Sequence, residues 1–387
     1  MTAPYLLYDG HNPRRMQPVK YFFSQIVVIL AAVALLPALA LGSVNSVRSL
    51  EAIAYPDHSQ LLVVRNAQGQ ERPVLTTADW EQRAAHIRTS IQQVMGPLPD
   101  RSHRAPLDIK IISEEQTKNY LRRKILFTAE AGDRVPAWLL IPHQRAANDQ
   151  APAMLCLHQT SRLGKNEPAG LGGLPALHYA HELAERGYIC IVPDYPSFGE
   201  YRYDFKKDGA HYASGSMKAI WNNLRAIDVL ETLPVVNKDR IGVIGHSLGG
   251  HNALFTAVFD QRIKAVVSSC GFTPFHNYNG GTGLAGWASD RYMPRIREVY
   301  ENNPDKVPFD FYEIIGALAP RGCFSNSPEH DSNFELKGVR QAFARAAEVY
   351  TLFNARDHLR LVTPDAGHDF PAAERQAAYQ WLDQLLK

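Results

Sequence analysis

Ile241-Gly242-Val243-Ile244-Gly245-His246-Ser247-Leu248-Gly249-Gly250 is an apolar run that breaks at a serine between two glycines. Two isoleucines and a valine favour a buried strand, and the residues from Asn252-Ala253-Leu254 onward favour a helix. A serine at such a junction, with glycine two residues away on each side, reads as a Gly-x-Ser-x-Gly elbow. The strained strand-to-helix turn holds its hydroxyl out at the top of the sheet. The glycines are needed because side chains there would strike the adjoining strand and helix. An incidental serine in a plain strand-turn-helix would leave the paired glycines and His246 without a reason.

Working outward, strands alternate with helices. Residues 121–129 and 135–141 read as strands joined at Gly132-Asp133, followed by a buried strand at 154–158 and a Gly- and Pro-rich loop. A helix at 176–186, a strand at 188–193 and a long helix at 212–233 lead to the elbow strand. Beyond the elbow helix come a strand at 263–270 and an irregular, aromatic-rich insertion at 271–319. A strand at 322–325, a helix at 336–353, a strand at 359–362 and a helix from Pro371 complete the pattern. This alternation predicts an α/β fold: a mostly parallel, doubly wound sheet with helices on both faces and an antiparallel hairpin at its leading edge. The insertion is expected after the sixth strand. Upstream, Trp80, Ala84, Ile87, Ile91 and Val94 recur at helical spacing behind Thr76-Thr77, and Met95-Gly96-Pro97 ends the run. The expected organisation is an N-terminal export or anchor segment at 1–42, a partly helical extension at 43–108 and a main domain at 109–387.

A serine hydroxyl is a poor nucleophile near neutral pH unless a base lies within hydrogen-bond reach. In doubly wound sheets the reactive groups come from loops at the carboxyl ends of strands. His368, in Asp365-Ala366-Gly367-His368-Asp369-Phe370 after the strand at 359–362, passes that filter best of the fifteen histidines. His246 is expected to line the rim, His251 to be structural, and His158 to position the loop after its strand. The base needs a carboxylate to fix its tautomer. In the chain order serine, acid, histidine, that carboxylate lies between Ser247 and His368. Asp331 is the leading candidate, in the loop after the strand holding Cys323, with Glu329 as its rival; Asp357 sits at the wrong end of the sheet. An oxyanion needs two backbone donors. One is the amide of Leu248, and the other comes from His158-Gln159-Thr160, with Thr160 preferred and Gln159 the alternative.

The net charge of +2 carries no nucleic-acid footprint, and the composition is that of an ordinary globular protein. Residues 21–47 depart from it: they contain no Asp, Glu, Lys or Arg, and they follow Arg14, Arg15 and Lys20. Basic residues, an apolar stretch and then Pro37 and Ala38-Leu39-Ala40 have the layout of an export signal. A retained membrane anchor is the alternative. In both readings the bulk of the chain lies on the far side of a membrane. Cys156, Cys190, Cys270 and Cys323 fall in or at the ends of separate apolar runs, as buried single thiols would, with no metal-ligand spacing and no disulfide expected.

Taken together, Gly245-His246-Ser247-Leu248-Gly249-Gly250, His158-Gln159-Thr160, Pro193-Asp194-Tyr195 with Phe198-Gly199-Glu200, Ala319-Pro320-Arg321 and Gly367-His368-Asp369-Phe370 carry a resemblance. Over 109–387 the chain resembles the α/β-hydrolase superfamily, in the group of dienelactone hydrolases and bacterial acetyl-xylan or glucuronoyl esterases. The resemblance implies ester hydrolysis through an acyl-enzyme with a serine-histidine-acid triad and no cofactor. Two departures stand out. Dienelactone hydrolases proper use cysteine where this chain has Ser247. Glucuronoyl esterases often take their acid from the end of the strand at 263–270, where this chain has no carboxylate until Asp290, and that favours Asp331.

The expectation is therefore an exported serine esterase acting on a small or carbohydrate-linked ester, with membrane contact only through the N-terminal segment. A peptidase of the prolyl-oligopeptidase type is the enzymatic alternative, but the N-terminal region is too short for a propeller. A silent relative serving as a binding module is the non-enzymatic one. In the insertion, Phe272, Phe275, Tyr278, Trp287 and Tyr292 either stack on substrate or form a cluster beneath the loop. Arg291, Arg295 and Arg297 are expected on a solvated face.

Overall fold

The apolar β-branched runs around the elbow pair into the middle of a nine-stranded sheet. The computed structural model describes residues 53–387 except 101, 103, 144–149 and 210. The apolar segment at 21–47 lies outside the described residues. Among those described, no helix is long and apolar enough to cross a membrane.

The extension opens with a hairpin of β1 (Val63–Arg65) and β2 (Glu71–Pro73), followed by helix α1 (Thr77–Met95). Thr76 and Asp79 cap α1 reciprocally, each side chain taking the other's backbone amide. Next come three antiparallel strands, β3 (Lys110–Gln116), β4 (Tyr120–Glu130) and β5 (Asp133–Pro142). Six parallel strands with intervening helices follow, the first four with their helices being β6 (Ala151–Leu157), α2 (Tyr179–Glu185), β7 (Ile189–Pro193), α3 (Gly215–Thr232), β8 (Val236–His246), α4 (Leu248–Phe259) and β9 (Ile263–Ser269). The insertion contains the short helices α5 (Arg295–Glu298) and α6 (Phe311–Gly316). The remaining elements are β10 (Gly322–Asn326), α7 (Leu336–Leu352), β11 (Leu359–Val362) and α8 (Ala372–Leu386).

Strand order across the sheet is β11-β10-β9-β8-β6-β7-β5-β4-β3. Alternate residues of each central strand serve opposite faces. Leu155, Ile191, Val243 and Val266 pack in the cluster that contains α1, α3, α4 and α7 residues. Cys156, Cys190, Ile244 and Val267 pack with α2 and α8 on the other face. The mostly parallel α/β reading holds, with one correction at the edge. The outermost strand is β3, not the β4–β5 hairpin, so the insertion follows the seventh strand of this sheet rather than the sixth. Every residue of β3 is exposed, so it lacks the buried alternation by which a strand is recognised.

The extension packs against the insertion. The Arg83 guanidinium of α1 is buried, ion-paired with the buried Glu313 of α6 and stacked 3.4 Å over the Tyr55 ring. His58 Nδ1 lies 3.0 Å from the other oxygen of Glu313, and Arg295 donates to the carbonyl of Gln93 at 2.6 Å.

Candidate active site

Ser247 lies between the central strand β8 and helix α4 with φ 54° and ψ −117°, a left-handed conformation that a non-glycine residue rarely adopts. Its amide donates to the Ser269 carbonyl at 2.8 Å, which ties the turn to the end of β9. A Cβ at Gly249 would stand 1.9 Å from the Leu157 carbonyl oxygen, and one at Gly245 would stand 2.2 Å from that of Gly249. Gly249 lets the end of β6 close directly on the first turn of α4, and Gly245 lets the end of β8 fold tightly into that same turn. The loop 158–160 therefore leaves its strand beside the elbow.

Asp331 and His368 come together through backbone continuity. Past the ends of β10 and β11 the chains keep pairing: Ser327 N donates to Val362 O at 2.9 Å, Glu329 N to Pro364 O at 2.9 Å and His330 N to Ala366 O at 3.0 Å. This extended ladder places His368 Nδ1 2.8 Å from Asp331 Oδ2. Asp331 Oδ1 accepts from the amides of Asn333 and Phe334 at 2.9 and 3.2 Å. Burial opposes the Asp331 carboxylate, but the His368 bond and charge, with these two amides, outweigh it and hold the group below its ordinary value. Glu329 turns outward, 3.7 Å from Arg340. The acid that meets the histidine is Asp331.

Each remaining histidine has a distinct environment. His246 is buried with Nδ1 3.0 Å from Ser269 Oγ, and its ring lies edge-on to His368 at 4.9 Å between centroids. Burial, aided by the neighbouring His368, pushes its pKa down to about 3, so it is neutral. His158 is buried, with Nδ1 bonded to the Gln159 carbonyl at 2.6 Å and Nε2 accepting from the Tyr195 amide at 2.9 Å. Both ring nitrogens thus serve backbone. His251 packs among Phe255, Trp287 and Tyr292, and burial pushes it down to about 3.

Thr160 is exposed, its hydroxyl 3.2 Å from that of Tyr292, whereas Gln159 is buried with its side chain bonded to Glu167. Leu248 packs with Tyr195, Phe198 and Ala219. Two supports had no reading at the level of sequence. Asn326 Nδ2 bonds both Ser269 Oγ and the Asp369 carbonyl at 2.9 Å, joining β9, β10 and the histidine loop. Asp194 receives the Lys165 ammonium and amide at 2.7 Å each and the Glu200 amide at 3.0 Å, fixing the loops after β6 and β7. A buried lysine paired with the Asp of Pro193-Asp194 has no local spacing that could have announced it.

In the insertion, Phe272, Phe275 and Trp287 are buried around Phe311, and Tyr278 packs on Trp287 and Phe334. They form the cluster beneath the loop. Tyr292 alone of the five reaches the rim beside Thr160. The arginine expectation needs correcting. Arg291 lies 4.3 Å over the Phe198 ring and Arg295 bonds Gln93, both half-buried, because their stems cover apolar surface; only Arg297 is solvated. All four cysteines are buried, free thiols. Among the described residues, Cys270, Asp331 and His368 offer donor atoms within 4.8 Å of one another, but the Asp331–His368 bond already engages two of them and burial pushes the Cys270 thiol up.

A family model for the fungal glucuronyl esterases matches residues 203–354. A putative hydrolase of Bacillus subtilis, YtaP, is 27% identical over 312 residues, covering 78% of this chain and 99% of that protein. Among solved structures, a glucuronoyl esterase from Solibacter usitatus superposes with a TM-score of 0.65 at 18% identity, over 87% of this chain and all of that one. A putative acetyl xylan esterase from Bacteroides fragilis does so with a TM-score of 0.60 at 17% identity, over 86% of this chain and all of that one. The two structural likenesses give the fold. Beyond the fold, the sequence itself is similar to the fungal glucuronyl esterases over residues 203–354.

Proposed function

We propose that this carbohydrate esterase-like α/β-hydrolase cleaves a carboxylic ester carried by a carbohydrate, through an acyl-enzyme on Ser247. The observation that carries the reading is the 2.8 Å bond from His368 to the buried, ionised Asp331, beside an elbow serine held at φ 54°. With Nδ1–H donated to Asp331, the His368 tautomer has a bare Nε2 that can accept a proton. The Ser247 hydroxyl adds to the ester carbonyl carbon and its proton passes to His368. The oxyanion is met by the amide of Leu248 and one amide of the 158–160 loop, for which Thr160 is our choice. Collapse expels the alkoxide, which takes the proton from His368. Water then repeats the sequence on the acyl-enzyme, releasing the acid and free Ser247. The apolar segment at 21–47 supports export of the catalytic domain, with the segment either removed or kept as an anchor.

A fluorophosphonate probe is expected to label the wild type and not Ser247→Ala, and acetyl or methyl-glucuronate esters are expected to be hydrolysed in preference to aminoacyl amides. An unlabelled wild type sinks the enzyme reading, and preferential amide cleavage replaces esterase with peptidase.

A further inference from the structure

A cavity of about 760 Å³ opens at the turn between β4 and β5, bounded by Pro97 and Pro99 of the extension, the turn residues 130–133, and Arg202, Tyr203, Asp208 and His211. β5 runs antiparallel to β7, with Ala137 opposite Pro193, so the start of β5 lies at the carboxyl ends of the parallel strands. The cavity and Ser247 therefore open on the same edge of the sheet. Between β8 and β5–β4 there are three to four strand spacings, roughly 14–19 Å. Tyr203 also walls a second cavity of about 240 Å³ that reaches Asp290 and Pro294 of the insertion. That segment carries Tyr292, whose hydroxyl faces Thr160. The two cavities share Tyr203, and the second ends against the insertion segment that carries Tyr292.

The lining chemistry is mixed. Lys218 Nζ is held at 2.6 Å by both Glu130 and Asp133, and Tyr201 also donates to Asp133 Oδ2 at 2.6 Å. The Tyr203 hydroxyl is buried without a hydrogen-bond partner, and the exposed Arg202 forms no ion pair among the described residues. The Arg202 guanidinium and the carboxylate oxygens of Glu130, Asp133 and Asp208 supply donors and acceptors at one wall. Glu130, Asp133 and Asp208 outnumber Arg202 and Lys218, which disfavours an anionic ligand. Pro97, Pro99 and the Tyr203 ring add apolar surface for a ring face.

We infer that this cavity is a distal subsite for a neutral oligosaccharide, holding part of the same molecule whose ester is presented to Ser247. The inference rests on the carbohydrate ester reading, and its test separates the two. Binding of unesterified xylohexaose and cellohexaose is measured by NMR titration on wild type, Tyr203→Phe and Ala131→Trp, alongside hydrolysis of p-nitrophenyl acetate and of an acetylated xylo-oligosaccharide. Tyr203→Phe removes only an unsatisfied hydroxyl, and Ala131→Trp fills the cavity from an exposed turn. The wild type is expected to bind one of the hexaoses with shifts at residues 130–133 and 202–203. Tyr203→Phe, which keeps the ring and removes a hydroxyl with no exposed surface, is expected to leave binding within about twofold. Ala131→Trp is expected to abolish it and to raise KM for the oligosaccharide ester, with kcat and p-nitrophenyl acetate turnover unchanged. Binding of neither hexaose, or variants that slow both esters alike, overturns the subsite. Absence of all ester hydrolysis with hexaose binding intact overturns the esterase reading and leaves the subsite standing.

Discussion

Asp331 and Glu313 are both buried carboxylates, and each is held below its ordinary pKa against the opposing effect of burial. Asp331 has a histidine whose ring is partly open to solvent, plus two backbone amides. Glu313 has Arg83, itself buried, and His58, and it closes the contact between the extension and the insertion. The difference lies in what the partner can do next. His368 keeps one nitrogen free to exchange a proton with a reacting group. Arg83 can neither deprotonate nor move, so the same kind of ion pair becomes a fastening.

Substituting each carboxylate should separate these roles. Asp331→Asn keeps the shape but offers His368 an amide, favouring the wrong tautomer, and a fall in kcat of about 10⁴-fold is expected in steady-state ester hydrolysis with the melting temperature little changed. Glu329→Gln should stay within about twofold; a large loss there would return the acid to Glu329. Glu313→Gln should have the opposite profile. Leaving Arg83 buried and uncompensated is expected to cost about 3–5 kcal/mol in denaturant unfolding, with kcat of the folded protein near wild type. A loss of kcat without loss of stability would show that the insertion shapes the reaction directly.

The smallest effect concerns pH. Burial opposes protonation of His58, but Glu313 and Asp310 together raise its pKa. Its Nε2 bonds the Val307 carbonyl at 3.0 Å, so a neutral ring would turn a lone pair toward Glu313. A raised folded pKa means that this stabilisation is complete below the unfolded value of about 6.5 and is lost as pH rises through the folded one. Buried Asp310, pushed up to about 7, acts in the same direction, since its ionisation is costlier in the folded state. Thermal stability should therefore fall from about pH 4 to about pH 7 through Asp310 and further above about pH 6.5 through His58, and His58→Gln should remove the part above about 6.5. An unchanged slope in His58→Gln would assign the pH dependence to Asp310 alone.

The strand-end residues were legible in the sequence because a repeating rule governs them. Buried parallel strands are short apolar runs, and the residue just past each run is at the working edge of the sheet. That rule placed Ser247, Asp331 and His368 just past strand ends without contact information. It could not find Glu313, Arg83 and His58, whose meeting depends on loops with no period and on partners 230 residues or more apart. β3 escaped for a related reason, since an edge strand exposed throughout carries no buried stripe. The aromatic residues of the insertion were visible by type, but whether they faced substrate or one another depended on the packing around Phe311.

The hydrogen-bonded ladder that continues past β10 and β11 makes Asp331 and His368 move as one body. Ser247 belongs to another, two strands away on β8. The seam between them is the end of β9, where Ser269 O accepts from Ser247, Ser269 Oγ accepts from Asn326, and the Cys270 amide donates to Asn326 O. The spacing of Asp331 and His368 is thus insulated from distortion elsewhere, while the gap from His368 to Ser247 is set at that one junction. A change in the twist of the sheet would tune the reach of the proton transfer there without disturbing the tautomer.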